Sequence, residues 1–316
     1  MNLSAQDFGT VPPSSGNPAS LPARRHRLLS DALRHFVHAN VVLSNRIEPS
    51  IVKKTAAYAR FREAGAALRN WRDMLATPVR RAIHGRLATV QNVIPEITPD
   101  DIEMIARYRT FTLTSIERQW ALMSSIRYLN AAGIEGDIVE CGVWRGGSMM
   151  LAKDLCSESS ITRRIYLYDT FAGMSEPTDD DVSHIERPAR ETYQATRRDG
   201  GTDWADASLE EVKENFRRAQ LLDDSVVFVK GKVEATLADM HNQPQRIALL
   251  RLDTDWYEST KIELEVLYPR LVPGGVLIID DYGHWAGARK AVDEYFKNDP
   301  ILLNRIDYTA RLVVRR

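Results

Sequence analysis

The sequence has few cysteines and no long apolar run, and both absences exclude whole classes of protein. Two cysteines, Cys141 and Cys156, cannot form a disulfide framework, and no zinc-ligand spacing surrounds them. No apolar run approaches the ~20 residues of a membrane span. The first residues also lack the basic-then-apolar order of a secretory signal. We therefore expect a soluble, cytoplasmic protein without a transmembrane segment.

An excess of one charge is also missing, because 42 Lys and Arg residues nearly balance 43 Asp and Glu residues among 316. This balance gives no global argument for binding nucleic acid, which we do not expect as a partner. The two parts of the chain nevertheless differ. Residues 1–100 hold 14 basic and 7 acidic residues, and the remainder holds 28 and 36. This asymmetry indicates two parts with different roles.

The basic part of the chain precedes every predicted strand. Residues 1–22 are rich in Pro, Ser and Gly and are predicted to be a disordered tail. Residues 23–100 are predicted to be a helical N-terminal extension, because apolar side chains recur there at spacings of three and four. The basic residues of this extension form either a solvated helix face or a patch for an anionic partner.

Residues 101–316 alternate between short apolar runs typical of strands and helical patterns. The predicted strands are 136–142, 164–170, 226–231, 246–253 and 274–281, followed by a terminal hairpin of 301–307 and 310–316. The predicted helices are roughly 149–157, 208–220, 233–241, 258–271 and 286–297. This order predicts an α/β fold with a parallel sheet covered on both faces. The long segment 173–208 shows little periodicity, which is typical of a lid, a binding loop or disorder.

A glycine-rich turn, ECGVWRGGS, follows the first predicted strand over residues 140–148. Glycine lets a ligand approach the backbone closely and exposes the N–H groups of the next helix. The spacing is neither the dinucleotide pattern nor a phosphate-binding P-loop. Asp169, at the end of the second strand, is placed to hold the hydroxyls of a ribose, with Phe171 against an adenine face. A turn without a ligand, with Asp169 as a helix cap, is the alternative.

Aspartates also end two later strands, as LDTDW and IDDYGH. If these strands are neighbours, Asp253, Asp280 and Asp281 meet at the carboxyl edge of the sheet, where ligands of such sheets bind. Their charges would repel one another unless a cation such as Mg²⁺ neutralised them. The alternative is a set of strand-end caps, with Asp255 capping a helix. His284 either takes part in proton transfer or substrate contact, or is a hydrogen-bonded loop residue.

Four motifs together resemble the macrocin O-methyltransferase family, within the class I S-adenosylmethionine-dependent methyltransferases. They are ECGVWRGGS, LYDTFAGM, LRLDTDWYESTKIELEVLYPRLVPGGVLIIDDYG and WAGARKAVDEYF. The resemblance covers roughly residues 105–316 and leaves residues 1–100 outside. It implies a Rossmann-like, seven-stranded, mostly parallel sheet with an antiparallel last strand. It also implies Mg²⁺ dependence and methylation of a sugar hydroxyl, typically on a glycosylated natural product.

The resemblance also implies roles for individual residues. The residues that would surround S-adenosylmethionine are Thr114, Ser115, Arg118, Glu140, Gly142, Gly146, Ser148, Asp169 and Phe171. Asp253, Asp280 and Asp281 match the Mg²⁺ ligands, and Asp255 matches the proposed general base. Related catechol O-methyltransferases carry a catalytic lysine where this chain has Trp256, which favours Asp255 as the base.

Several alternatives stay open. The acceptor is a sugar-bearing small molecule in the preferred interpretation, and a small phenol or a nucleotide-linked sugar in the second. A non-catalytic scaffold that keeps the fold is a third hypothesis. Relatives of this class are often oligomeric, and the sequence leaves homo-oligomer formation open.

Overall fold

The computed structural model describes residues 94–157, 161–185 and 187–316. The predicted tail and nearly all of the predicted N-terminal extension lie outside these residues. The helices are α1 (Pro99–Tyr108), α2 (Ile116–Ala131), α3 (Gly147–Ser157), α4 (Ala189–Thr196), α5 (Leu209–Arg218), α6 (Val233–Thr236), α7 (Tyr257–Val266) and α8 (Ala286–Tyr295). The strands are β1 (Asp137–Cys141), β2 (Ile165–Asp169), β3 (Arg197–Arg198), β4 (Gly201–Thr202), β5 (Val226–Lys230), β6 (Ile247–Leu252), β7 (Leu271–Ile279), β8 (Asn304–Arg305) and β9 (Arg311–Val314).

Seven of these strands form one sheet in the order β5-β2-β1-β6-β7-β9-β8. The first five strands in this order are parallel, and β9 pairs antiparallel with both β7 and β8. The prediction of a mostly parallel, seven-stranded α/β sheet with an antiparallel last strand is confirmed. This order places β1 and β6 at the centre of the sheet.

Both faces of the sheet are covered, and the strand sequences show why. Ile138 on β1 and Ile165 on β2 belong to one buried cluster, and the next residues, Val139 and Tyr166, belong to another. Successive side chains of a strand point to opposite faces, so a strand that is apolar throughout must be buried on both. Within the described residues, no helix is both long and apolar enough to cross a bilayer.

The helices ahead of the sheet begin at polar caps. Thr98 and Asp101 form a reciprocal capping box at the start of α1. The cap of α2 is Ser115, whose hydroxyl accepts the backbone N–H of Arg118. Gly133, with a φ of +63°, follows the last turn of α2 in the left-handed conformation that commonly ends a helix.

Three predicted segments differ from the structure. The 173–208 segment contains α4 and the two-stranded ribbon β3–β4, elements too short to produce a visible period. The predicted helix 233–241 is only the one-turn α6 followed by a 3₁₀ turn, Met240–Asn242. The predicted helix 258–271 gives way to a 3₁₀ turn, Tyr268–Arg270, because Pro269 cannot donate the hydrogen bond that would continue α7.

Candidate active site

The carboxyl ends of β2, β1, β6 and β7 lie side by side and border a cavity of about 440 Å³. Cys141 at the end of β1 is level with Leu252 on β6, and Leu252 is level with Ile279 on β7. The residues that follow these strands therefore lie level with one another along the carboxyl edge of the sheet. Parallel α/β sheets bind their ligands at this edge.

The glycine-rich turn after β1 is shaped by two close approaches. Gly142 has a φ of +81°, and a Cβ there would lie 2.0 Å from the carbonyl oxygen of Asp253. Only glycine therefore lets β1 and β6 end in contact. The backbone N–H groups of Val143 and Trp144 donate to Asp169 Oδ2, at 2.7 and 3.1 Å. The turn and the end of β2 are thus one bonded unit.

Asp169 lines the cavity and does not cap a helix. Its Oδ1 accepts the backbone N–H of Phe171 at 2.7 Å, in addition to the two N–H groups that reach Oδ2. Burial raises the pKa of Asp169, and these N–H donors oppose that rise. The carboxyl group is therefore fixed in place at the position predicted to hold a ribose.

Glu140 and Arg251 form a buried ion pair beneath the cavity. Glu140 is 1% exposed and Arg251 is 2% exposed. The Arg251 guanidinium donates to Glu140 Oε1, to Asp253 Oδ2 at 2.6 Å and to Asp280 Oδ1 at 2.5 Å. Glu140 Oε2 is buried and has no hydrogen-bond partner among the described residues. Burial raises the pKa of Glu140 to about 7, although Arg251 opposes the shift.

Three carboxyl groups can approach a common ion. Asp253, Asp280 and Asp281 each offer one oxygen, and these oxygens lie within 4.8 Å of one another. Asp280 is bonded on one oxygen by Arg251 and on the other by Arg118. About a quarter of the Asp253 side chain is exposed, and it borders the cavity. The cluster is therefore partly neutralised by arginine but still open to the cavity.

Asp255 completes the acidic group. Its backbone φ is +70°, a left-handed conformation that is strained for a residue other than glycine. Its carboxyl group shares a hydrogen bond with Asp281 and accepts one from Trp285. Burial, followed by the charges of the neighbouring aspartates, raises the pKa of Asp255 to about 7. The alternative role as a helix cap is wrong, because Trp256 is the N-cap residue of α7.

Three tryptophans pack together beside the cavity, and two of them, Trp204 and Trp285, line it. Trp204 comes from the 173–208 segment, and its ring centroid lies 5.6 Å from that of Trp256 and 6.2 Å from that of Trp285. The Trp256 indole N–H donates to the carbonyl of Ser175 in the same segment at 3.0 Å. The 173–208 segment is thus packed directly against the two residues that follow Asp255 and His284.

His284 lies at the rim of the cavity. Its Nδ1 is 3.2 Å from the Tyr308 hydroxyl, and its ring centroid is 4.9 Å from that of His184. Burial, then the nearby charges of His184 and Arg118, lower the pKa of His284. Its imidazole is therefore neutral at neutral pH and oriented by Tyr308.

The predicted cofactor residues divide into two groups. Six of them line the cavity: Thr114, Arg118, Glu140, Gly142, Ser148 and Asp169. The other three have side-chain or backbone packing roles away from it. Ser115 donates to Asp307 at 2.8 Å, a Cβ on Gly146 would meet the Phe216 ring, and Phe171 is buried in the core near Phe228. For all nine residues, contact with a cofactor stays a prediction.

Arg251, Trp204 and Tyr308 belong to the site but are not among the predicted site residues. The signal for Arg251 is visible in the sequence, as a single charge inside the apolar run IALLRL. No comparable signal marks Trp204 or Tyr308, because their positions depend on how the 173–208 segment and the terminal hairpin fold back over the sheet edge.

Comparison with known proteins agrees with this geometry. The sequence model of the macrocin O-methyltransferase family matches residues 66–315, which is well over half of the chain. The chain belongs to this family. The match begins earlier than residue 105, where the resemblance of the motifs begins, so the family region includes part of the predicted N-terminal extension.

Individual members of the macrocin O-methyltransferase family show how far the similarity reaches. The 8-demethyl-8-(2,3-dimethoxy-alpha-L-rhamnosyl)-tetracenomycin-C 4'-O-methyltransferase of Streptomyces olivaceus is 38% identical over 66% of this chain and 78% of its own length. The mycinamicin III 3''-O-methyltransferase of Micromonospora griseorubida is 36% identical over 58% and 69%. Among solved structures, the O-methyltransferase NovP is 31% identical, with a TM-score of 0.57 over 65% of this chain and 82% of NovP. By family and fold, the protein is an O-methyltransferase.

Proposed function

We propose that this O-methyltransferase uses S-adenosylmethionine and Mg²⁺ to methylate a sugar hydroxyl of a glycosylated natural product. The observation that carries the proposal is the position of the acidic cluster. Asp253, Asp255, Asp280 and Asp281 line the same cavity as Glu140 and Asp169. One cavity therefore offers groups for a cationic cofactor next to groups for a divalent metal.

The cofactor end of the cavity suits the methionine part of S-adenosylmethionine. Glu140 Oε2 is a buried acceptor without a partner, as an ammonium group requires. Ser148, in the first turn of α3, supplies a hydroxyl beside free helix N–H groups, which favour a carboxylate. Thr112 and Thr114 add hydroxyls nearby, 3.0 Å apart. When bound, S-adenosylmethionine supplies an electrophilic methyl group.

The acidic end of the cavity suits a hard divalent cation. Asp253, Asp280 and Asp281 provide carboxylate oxygens, the ligands that Mg²⁺ prefers. Arg118 and Arg251 offset only part of the negative charge of the cluster. The hydrogen bond between Asp255 and Asp281 requires a proton, which a metal ion would replace. When bound, Mg²⁺ lowers the pKa of an acceptor hydroxyl.

Asp255 is the proposed general base. Asp255 lines the cavity beside the three proposed metal ligands, where its carboxylate can accept the proton of a bound hydroxyl. Bound S-adenosylmethionine would supply the methyl group to the acceptor oxygen, and Asp255 would take up the proton that the acceptor hydroxyl gives up. Most of the rate enhancement would come from holding the oxygen in line with the methyl group. His284, fixed by Tyr308, is proposed to contact the acceptor.

The acceptor end of the cavity is aromatic, with Trp204, Trp285 and Tyr308 along its wall. Relatives that are named for rhamnosyl-tetracenomycin and mycinamicin substrates support a sugar on a natural product as the acceptor. A small phenol or a nucleotide-linked sugar is the second candidate. The lysine of catechol-type sites is replaced here by Trp256, and this replacement favours the sugar.

Calorimetry tests the two halves of the proposal separately. S-adenosylmethionine should give a heat of binding with the wild-type protein, and Mn²⁺ should bind as a Mg²⁺ substitute. Asp253→Asn combined with Asp280→Asn should abolish Mn²⁺ binding, whereas Asp179→Asn, at a nearly fully exposed side chain, should not. Absence of heat with S-adenosylmethionine would leave the scaffold hypothesis in place. Unchanged Mn²⁺ binding in the double variant would refute the metal site.

A further inference from the structure

The Asp179-Asp180-Asp181 motif lies in the 173–208 segment and takes no part in the site described so far. Its members differ sharply in environment. The side chain of Asp179 is 96% exposed and that of Asp180 is 44% exposed, whereas Asp181 is 1% exposed. A carboxylate is rarely buried to this extent without partners that compensate for its lost hydration. The partners of Asp181 therefore indicate its role.

Asp181 caps the helix that follows the proposed base. Its Oδ1 accepts the backbone N–H of Tyr257, the first residue of α7, at 2.8 Å. Its Oδ2 accepts the N–H and hydroxyl of Thr178 at 2.6 and 2.8 Å. The residue in the N-cap position of α7, Trp256, offers no side-chain cap of its own. Asp181 thus supplies the missing cap from another part of the chain, two residues after Asp255.

The next residues of the same segment hold the second helix. The carbonyl of Val182 accepts the N–H of Ala286, the first residue of α8, at 2.8 Å. Ser183 forms a β-bridge with Trp285, which is the N-cap residue of α8 and also lacks a side-chain cap. Three consecutive residues therefore bond the starts of both helices that follow the acidic motifs.

Gly287 gives independent support for this arrangement. A Cβ at this position would lie 2.1 Å from Asp181 Oδ1 and 3.0 Å from the backbone nitrogen of Tyr257. The backbone of α8 thus reaches both the carboxylate and the start of α7. Only glycine allows this close approach, so α8, α7 and Asp181 meet at one point.

We propose that residues 181–183 clasp the two acidic loops together and that Asp181 is a positioning residue for Asp255. The clasp fixes the first turn of α7, and with it the strained backbone of Asp255, relative to the Asp280 and Asp281 loop. This proposal rests on the proposed function of Asp255 as the base. Because the 173–208 segment also carries Trp204, the clasp couples the aromatic wall of the acceptor end to the geometry of the base.

Hydrogen exchange and kinetics on four variants test the clasp. Asp181→Ala and Gly287→Ala should each speed amide exchange at the starts of both α7 and α8 by about threefold to tenfold, since each loses the capping bond. Asp181→Asn, which keeps the shape but accepts fewer hydrogen bonds, should show a smaller effect in the same two regions. Asp179→Ala is the matched control, because the Asp179 side chain is almost fully exposed and pairs with Arg190 within its own segment.

The kinetic arm separates positioning from a purely structural role. Displacing the base should lower kcat by about 100-fold in Asp181→Ala and Gly287→Ala. The Kd of S-adenosylmethionine should change by less than about twofold, because none of its proposed residues belongs to residues 181–183, α7 or α8. Faster amide exchange at the starts of α7 and α8 with an unchanged kcat would overturn the positioning role of Asp181. Faster exchange in the 173–208 segment alone would overturn the clasp. A wild-type protein without methyl transfer would instead refute the proposed function, and the exchange data would still decide the clasp.

Discussion

Arg251 occupies a position in β6 where every other residue is apolar and buried. A lone guanidinium in such a place would be strongly destabilising, because it loses its hydration. Here it faces Glu140 on one side and Asp253 and Asp280 on the other. Its role follows from this geometry: it holds together the carboxylates of three strands whose mutual repulsion would otherwise open the sheet edge.

Replacing Arg251 tests that role. Arg251→Met should lower the free energy of unfolding by about 3 kcal/mol or more, because Glu140, Asp253 and Asp280 lose the guanidinium group that they share. Urea denaturation at pH 7 with a chelator present measures the change. Arg246 precedes the same strand and forms an exposed pair with Glu135. Arg246→Met should change the free energy of unfolding by less than about 0.5 kcal/mol. Equal effects of the two substitutions would contradict this account.

Replacing Asp255 tests the assignment of the base. Asp255→Asn should lower kcat by about 100-fold to 10,000-fold, because the amide cannot accept the proton. Calorimetry should show S-adenosylmethionine binding unchanged, since Asp255 lies at the acceptor end. Asp293→Asn, on the outer face of α8, serves as the matched control. Retention of more than a tenth of wild-type kcat in Asp255→Asn would show that another group is the base.

The residues of the site were predictable to different degrees. Acidic side chains directly after two apolar runs are visible in the sequence, so Asp253, Asp280 and Asp281 could be placed at one edge before the structure was known. The partners of Arg251 could not, because they depend on the register between β1, β6 and β7. The strained backbone of Asp255 likewise has no sequence signal.

At the scale of elements, α1 is fixed by its capping box and by one ion pair. Asp101 is 2% exposed and bonds both Thr98 and the guanidinium of Arg127. Burial raises the pKa of Asp101, but the hydrogen bonds from Arg127 and Thr98 outweigh it and hold the pKa below 3.8. A lowered pKa in the folded state means that the ionised form stabilises the fold above the unfolded-state pKa, and that this contribution is lost as the pH falls.

Asp101→Asn should therefore lower the free energy of unfolding by about 1–2 kcal/mol at pH 7. The difference from wild type should shrink as the pH falls below 3.8, to pH 3, because the unfolded chain then takes up a proton on this carboxyl group before the folded protein does. Urea denaturation at both pH values is the measurement. Asp100→Asn changes an exposed carboxyl group in the same helical turn and should have little effect at either pH. A difference in the free energy of unfolding that does not change with pH would contradict a stabilising role for the ionised Asp101 carboxylate.

The 173–208 segment connects to the site through Trp204. Trp204→Ala should raise the KM for the acceptor about tenfold, because an aromatic face of the cavity and its contacts with Trp256 and Trp285 are lost. The KM for S-adenosylmethionine should stay unchanged. Tyr193→Ala, in the same segment but away from the cavity lining, is the control. Equal rises in both KM values for Trp204→Ala would point to general unfolding of the site.

The regular elements were more predictable than this segment. Strands buried on both faces are continuous apolar runs, and each of the five parallel strands could be located within a few residues. The short α4 and the β3–β4 ribbon depend on contacts made after the chain returns to the sheet edge. Asp181 shows this clearly, because one of its oxygens accepts the N–H of Tyr257 on α7, far along the chain.

On the scale of the whole molecule, the order of the sheet explains why one cavity holds both proposed groups. β1 lies between β2, which carries Asp169, and β6, which leads into Asp253. β7 lies beyond β6 and leads into Asp280 and Asp281. The proposed cofactor residues Glu140 and Asp169 and the proposed metal residues, which are far apart in the sequence, therefore meet at the centre of the sheet. The near-zero net charge of the whole chain does not reveal the acidic cluster. The cluster belongs to the acidic excess of residues 101–316, which the basic residues 1–100 offset.

The central claim is metal-dependent methylation of a sugar hydroxyl at the acidic cluster. The most direct measurement is mass spectrometry of deoxysugar-bearing natural products incubated with the protein and S-adenosylmethionine. We expect an acceptor to gain the mass of one methylene on its sugar with Mg²⁺ present, to gain none after chelation, and to gain it again when Mg²⁺ is restored. Asp253→Asn combined with Asp280→Asn should remain inactive throughout. Methylation that persists in the chelated protein and in this double variant would contradict the account.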